Sequence, residues 1–130
     1  MPSGRGCKDK GSAYERELAN HLNQNLFGAE CVYRAPLSGG GSVNSAAGGA
    51  DLIGTPGIFV EAKRVERLNV REALSQATRN VTTRRSPDFP TVITRKNFEG
   101  TGDSLVVMRL DDWMELYGAW LREHGHLKSE

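Results

Sequence analysis

Apolar residues recur along this chain with two periods, and each period predicts its own elements. From Ser12 onward Leu18, Ala19, Leu22 and Leu26 repeat at helical spacing. On a wheel they form one stripe, with Glu15 in its middle. Ser12 offers an N-cap and Glu15, three positions on, the partner of a capping box, so a helix of roughly fifteen residues is expected from Ser12, with His21 at its surface or boundary. Residues 1–11, rich in Gly and Lys/Arg, are expected to be a mobile segment. Residues 31–35 read as a strand. Residues 58–65, dense in β-formers, read as another, facing Ala50-Asp51-Leu52-Ile53-Gly54 across a turn at Thr55-Pro56-Gly57 to make a β-hairpin. Asn69 caps a second helix through about Val81, and a polar, Pro-containing loop fills 82–90. Strands over 91–95 and 104–110 join across Gly100-Thr101-Gly102. A last helix runs from Asp111 to about His124, with acids in its first turn to suit the helix dipole. That order predicts a three-layer α/β core, a mixed sheet with helices on its faces, over one domain spanning residues 12–130.

The hairpin carries the chemistry. Side chains alternate along a strand, so Glu61 and Lys63 point the same way, with Asp51 on the neighbouring strand. Two converging carboxylates make a hard oxygen site suited to Mg²⁺ or Mn²⁺. A lysine beside them can orient a water or stabilise a phosphoryl transition state. The plainer alternative is an exposed strand whose Glu and Lys pair and solubilise the sheet edge. Phe59 and Val65 bracket the pair on its own face, which places charge in an apolar setting and favours the chemical reading. Glu15, a carboxylate amid an apolar stripe, is a further candidate for the same site. Residues 38–49 hold five glycines and three serines and lead straight into Asp51. A loop of that kind inside a domain flanks a cleft and closes on substrate, or is a mere linker.

Composition narrows the partners. Cys7 and Cys31 stand in no ligand spacing, which suggests free thiols in a reducing, intracellular compartment, with one disulfide as the lesser alternative. No apolar run could span a membrane, and the polar start lacks a secretion-signal core. Net charge is only +1, but it is unevenly spread: residues 62–96 hold nine basic and three acidic residues, while 97–130 hold three and seven. The basic third starts at the candidate metal site, as a phosphate-tracking surface would; the alternative is a solvated helix face. His124 and His126 read as tail residues. On the last helix Trp113, Leu116, Tyr117, Trp120 and Leu121 share one face, a candidate homodimer interface unless it packs on its own sheet.

The run Gly11-Ser12-Ala13-Tyr14-Glu15-Arg16-Glu17-Leu18, then Arg34, Ser38-Gly39-Gly40, Asp51 and Glu61-Ala62-Lys63, resembles the archaeal-type Holliday junction resolvases of the PD-(D/E)XK nuclease superfamily, phage-encoded relatives included, over residues 10–80. The resemblance implies a restriction-endonuclease-like core. It also implies a cytoplasmic, Mg²⁺-dependent endonuclease of DNA recombination or repair, with Mn²⁺ able to substitute. Acting as a homodimer on branched DNA, it would resolve four-way junctions by in-line attack of a metal-activated water, leaving 5′-phosphate and 3′-hydroxyl ends. Asp51 and Glu61 would bind the metal with the Ala62 carbonyl, Lys63 would orient the water, and Glu15 would complete the catalytic site. Arg34 and Ser38 would contact DNA near the scissile phosphate, with Arg16, Arg64, Arg67, Arg71 and Gln76 as further DNA contacts. Ala50 stands where the superfamily has its nominal proline, and residues 97–130 have no matching counterpart. The alternatives are a restriction- or repair-type nuclease on the same fold and a non-catalytic DNA-binding module.

Overall fold

Tyr14, Leu18, Ala19 and Leu22 lie three to four residues apart and put one apolar stripe on helix α1 (Gly4–Leu22). The computed structural model describes residues 4–36 and 49–128, with side chains from Lys10 onward. After α1 a π-helical turn (Asn23–Phe27) closes on Gly28, whose left-handed backbone (φ +67°) ends the helix. The buried Asn23 then organises the return of the chain: its Oδ1 accepts from the N–H groups of Cys31 and Val32, and its Nδ2 donates to the Val32 carbonyl. Strand β1 (Tyr33–Arg34) pairs antiparallel with β2 (Leu52–Ile53). Gly54 follows β2 at φ +88°, and a Cβ there would overlap the Cys31 carbonyl oxygen, so only glycine lets the chain cross so closely.

Three longer elements make the second sheet. β3 (Ile58–Lys63) runs parallel to β4 (Phe89–Thr94), and β4 is antiparallel to β5 (Leu105–Val107), in the order β3-β4-β5. Parallel neighbours need a crossover, which α2 (Val70–Arg84) provides. Asn69 caps α2 by accepting from the Glu72 N–H at 3.0 Å. Arg85 ends it in the left-handed region, ahead of the Ser86-Pro87 pair that disfavours more helix. Period-two alternation divides the sheet between the helices. Val60 and Ile93 pack with Tyr14 and Leu18 of α1, together with Val32 and Leu52, while Phe59 packs with Ala77 of α2 and with Ala50. The two helices therefore cover opposite faces, and each fully buried side chain such as Val60 contributes about 1.5–3 kcal/mol. Among the described residues the protein is a mixed α/β structure with three α-helices, the last being α3 (Leu110–Glu123). Among the described residues no helix is long and apolar enough to cross a membrane.

Several expectations are corrected. Ser12 is not an N-cap, since α1 already starts at Gly4, within the segment expected to be mobile. Leu26 is 70% exposed and lies outside the stripe, because the π-helical turn rotates it off the α1 register. β1 is two residues long rather than five. β2 pairs with β1 and not with β3, and Asp51 sits just before it, so the hairpin is not a regular ladder. β3 ends at Lys63, leaving Val65 exposed beyond it. α2 runs three residues past Val81, β4 starts at Phe89, and β5 covers only Leu105–Val107 because Leu110 already opens α3. Cys31, in agreement with its sequence reading, carries a free, exposed thiol. The glycine- and serine-rich loop, Ser38 included, lies outside the described residues apart from Gly49.

Candidate active site

Asp51 stitches the two sheets together. Its backbone carbonyl accepts from the Ala35 N–H beside β1 at 2.9 Å, and its N–H donates to the Val60 carbonyl of β3 at 2.8 Å. Its side chain continues the stitching, since Oδ2 accepts the Ala62 N–H at 2.7 Å. A strand residue turns its N–H and C=O to the same side, so Ala62 directs its carbonyl toward this edge as well. Glu61 and Lys63, two apart on β3, share the face that the alternation requires, with Lys63 Nζ 3.2 Å from Glu61 Oε1. Glu61 is buried and Lys63 half-buried.

The electrostatics of this edge are unbalanced. Burial first, and then the neighbouring Glu61 carboxylate, push the Asp51 carboxyl up to about 7. Glu15 adds to the rise, and the Ala62 N–H and the Lys63 ammonium oppose it. Glu15 enters from α1, but its carboxylate is engaged: Arg34 Nε donates to Oε1 at 2.8 Å, while Arg34 Nη2 donates to Ser12 Oγ at 2.8 Å. Among the described residues no three His, Cys, Asp or Glu side chains are gathered tightly enough to hold a metal ion on their own. A divalent cation at this edge would draw on Asp51, Glu61, the Ala62 carbonyl and solvent. Hard oxygen donors and a surplus of negative charge fit such an ion.

The expected nucleic-acid contacts are dispersed. Arg16, Arg67, Arg71 and Gln76 are exposed and Arg64 is partly covered, its Nε buried without a hydrogen-bond partner. Arg71 joins Arg79 and Arg109 around an open cleft of about 390 Å³ on the outer side of α2, with Leu74, Ser75 and Thr78. Arg95, counted within the basic third, is no surface residue. It is buried, donates to Glu17 Oε2 at 2.8 Å and to the Lys96 carbonyl, and lies over the Tyr14 ring at 5.4 Å. A second cleft, of about 240 Å³, sits at the far end of β3 between the Gly54 turn and the end of α2, and holds none of the candidate residues.

Two features escaped the sequence. Ser12 serves as an anchor for Arg34, although its spacing to Glu15 spells a helix cap. Tyr14, fully buried, donates a hydrogen bond from its hydroxyl to Ser104 Oγ at 2.7 Å and meets Arg95. Arg95 directly follows β4 and continues the alternation of the buried Thr91 and Ile93, which was the available signal for the latter. On α3 the aromatic face is not packed on its own sheet. Trp113, Tyr117 and Trp120 stack on one another, Trp120 also stacks on His124 and His126, and the three keep 43–51% of their surface. Set against known protein families, curated proteins and solved structures, the chain matches none.

Proposed function

We propose that this chain is a divalent-metal-dependent DNA endonuclease on a restriction-endonuclease-like core, selective for four-way junctions. The observation that carries the reading is the edge of β3: Asp51 held against it by the Ala62 N–H, with a buried glutamate and a lysine 3.2 Å from it on the strand itself. Mg²⁺, or Mn²⁺ in its place, would be held by Asp51, Glu61 and the Ala62 carbonyl, and when bound it supplies Lewis-acid stabilisation of charge on a phosphodiester oxygen. Lys63 orients the attacking water and offsets charge that develops on the phosphoryl group. Glu15 adds a third carboxylate to the edge, and Arg34 meets the phosphate. Exposed Arg16, Arg67, Arg71 and Gln76, with the partly covered Arg64, contact the DNA backbone.

A twofold junction calls for two sites, and the uncovered aromatic face of α3 supports a homodimer formed through it. The deciding experiment incubates the protein with labelled four-way junction and with linear duplex, with and without Mg²⁺. Paired, Mg²⁺-dependent cuts in the junction are expected. Equal cutting of duplex would instead mark a restriction- or repair-type nuclease, and binding without cutting a DNA-binding module. Light scattering at micromolar concentration checks the dimer, and a monomer bound singly to junction DNA would sink it.

A further inference from the structure

Arg34 holds the one carboxylate of the edge that comes from a helix. Its guanidinium spends two of its five N–H donors on α1, one on Glu15 Oε1 and one on Ser12 Oγ, both at 2.8 Å. Neither partner of the ion pair is sealed, since 26% of the Arg34 side chain and 16% of the Glu15 side chain stay exposed. The clasp is also close to the reacting edge. Arg34 lies on β1 opposite Leu52, and the next residue, Ala35, donates its N–H to the Asp51 carbonyl.

We propose that Arg34 is a phosphate-operated clasp on Glu15: a phosphodiester takes the guanidinium, and the released carboxylate joins Asp51 and Glu61. A phosphate competes well for arginine, because both anions accept charge-assisted, bidentate hydrogen bonds and the phosphodiester brings its own charge to the exposed side of the guanidinium. Once released, Glu15 loses its compensating cation next to two carboxylates already close enough to repel. The edge then binds a divalent cation more tightly than in the free protein. Phosphate and cation thereby favour one another, and by linkage each raises the affinity of the other by the same factor. This inference deepens the nuclease reading and rests on it.

Mn²⁺ titrated calorimetrically into the full chain without DNA tests the clasp with no cleavage readout. Arg34→Met reproduces the released state and is expected to bind Mn²⁺ about tenfold tighter than the wild type. Arg34→Lys, which keeps the charge but loses the fork, is expected to gain about threefold, and it carries the test should Arg34→Met fail to melt cooperatively. Adding Glu15→Gln to either variant should erase the gain. If the gain survives Glu15→Gln, it reflects loss of a nearby cation and the clasp is wrong. If Asp51→Asn abolishes Mn²⁺ binding while the Arg34 variants bind no tighter than wild type, the clasp fails and the metal site stands. If no Mn²⁺ binding depends on Asp51 in any variant, the metal reading itself fails and takes the clasp with it.

Discussion

Glu15 and Glu17 sit two residues apart on α1, and each meets an arginine at 2.8 Å, yet the two pairs belong to different kinds of region. The Glu17 side is balanced in charge, although 39% of the Glu17 side chain stays exposed. Arg95 is buried beneath α1, stacks on Tyr14, and donates to Glu17 and to the Lys96 carbonyl, while Thr101 reaches Glu17 and Ser104 receives the Tyr14 hydroxyl. Its one unmatched atom is the buried Arg95 Nε. The Glu15 side carries an excess of carboxylate: Glu15, Asp51 and Glu61 against Arg34 and Lys63. A cluster whose charges cancel holds elements together, whereas one left with surplus charge waits for a cation. The same helix thus carries a charge-matched pair on one side and borders the proposed site on the other.

Substitution separates the two regions most widely in activity. Asp51→Asn, Glu61→Gln and Lys63→Ala are each expected to slow junction cleavage by on the order of a hundredfold or more while DNA binding persists. Asn at 51 can still accept the Ala62 N–H, so the stitching survives. Arg95→Met should leave the cleavage rate within a few-fold. A time course on labelled junction compares them, and an Asp51→Asn protein that cleaves normally would remove Asp51 from the site.

Stability should show the reverse order. Arg95→Met strips the charge partner from Glu17 and the cation from the Tyr14 face, an expected loss of about 2 kcal/mol after allowing for the partial exposure of Glu17. For a chain of this size that lowers the melting temperature by several degrees. Asp51→Asn at pH 8 should melt no lower than wild type, because it removes a repelled, partly buried charge. Thermal melts of the two variants side by side test the contrast, and equal losses would erase it.

The pH dependences should differ in sign. The folded protein holds a proton on Asp51 up to about 7, well above the ordinary 3.8, so between those values it binds more protons than the unfolded chain and stability falls as pH rises. The arginine hydrogen bond holds Glu17 below its ordinary 4.5. Its contribution is therefore complete above that value and lost as pH falls through the folded one. Denaturant melts from pH 3 to 8 are expected to flatten on the neutral side in Asp51→Asn and on the acid side in Glu17→Gln. The smallest expected effect is on salt: neutralising Arg64, Arg67 or Arg71 should flatten the salt dependence of DNA affinity by up to about one unit each, and Arg95→Met should leave it unchanged. An unchanged slope in all three would place DNA on another face.

Local signals were the legible ones. The Asn69 cap, the shared face of Glu61 and Lys63, and the α/β succession of elements all follow from spacings of two to four residues. What the sequence concealed was tertiary. Ser12 and Glu15 match a capping box, but both are taken by Arg34, nineteen and more residues away, and the helix runs on through them toward Gly4. Arg95 adds to the basic count of its segment although it is buried, because a tally of charge carries no depth. Asp51 stands out as a candidate by its company rather than by its strand: the residue lies between two sheets, where no periodicity reaches.

Both tryptophans of the chain, Trp113 and Trp120, lie on the uncovered face of α3, where they stack on Tyr117, His124 and His126, while Asp51 bonds to Ala35, Val60 and Ala62. The intrinsic fluorescence of this protein is therefore a one-address signal. A blue shift of emission with rising protein concentration reports that the α3 face has left water, and a titration of metal into dilute protein should leave the same emission unmoved. Pairing of the chain through α3 would thus be visible in its own emission, while occupation of the proposed metal site would leave that emission unchanged.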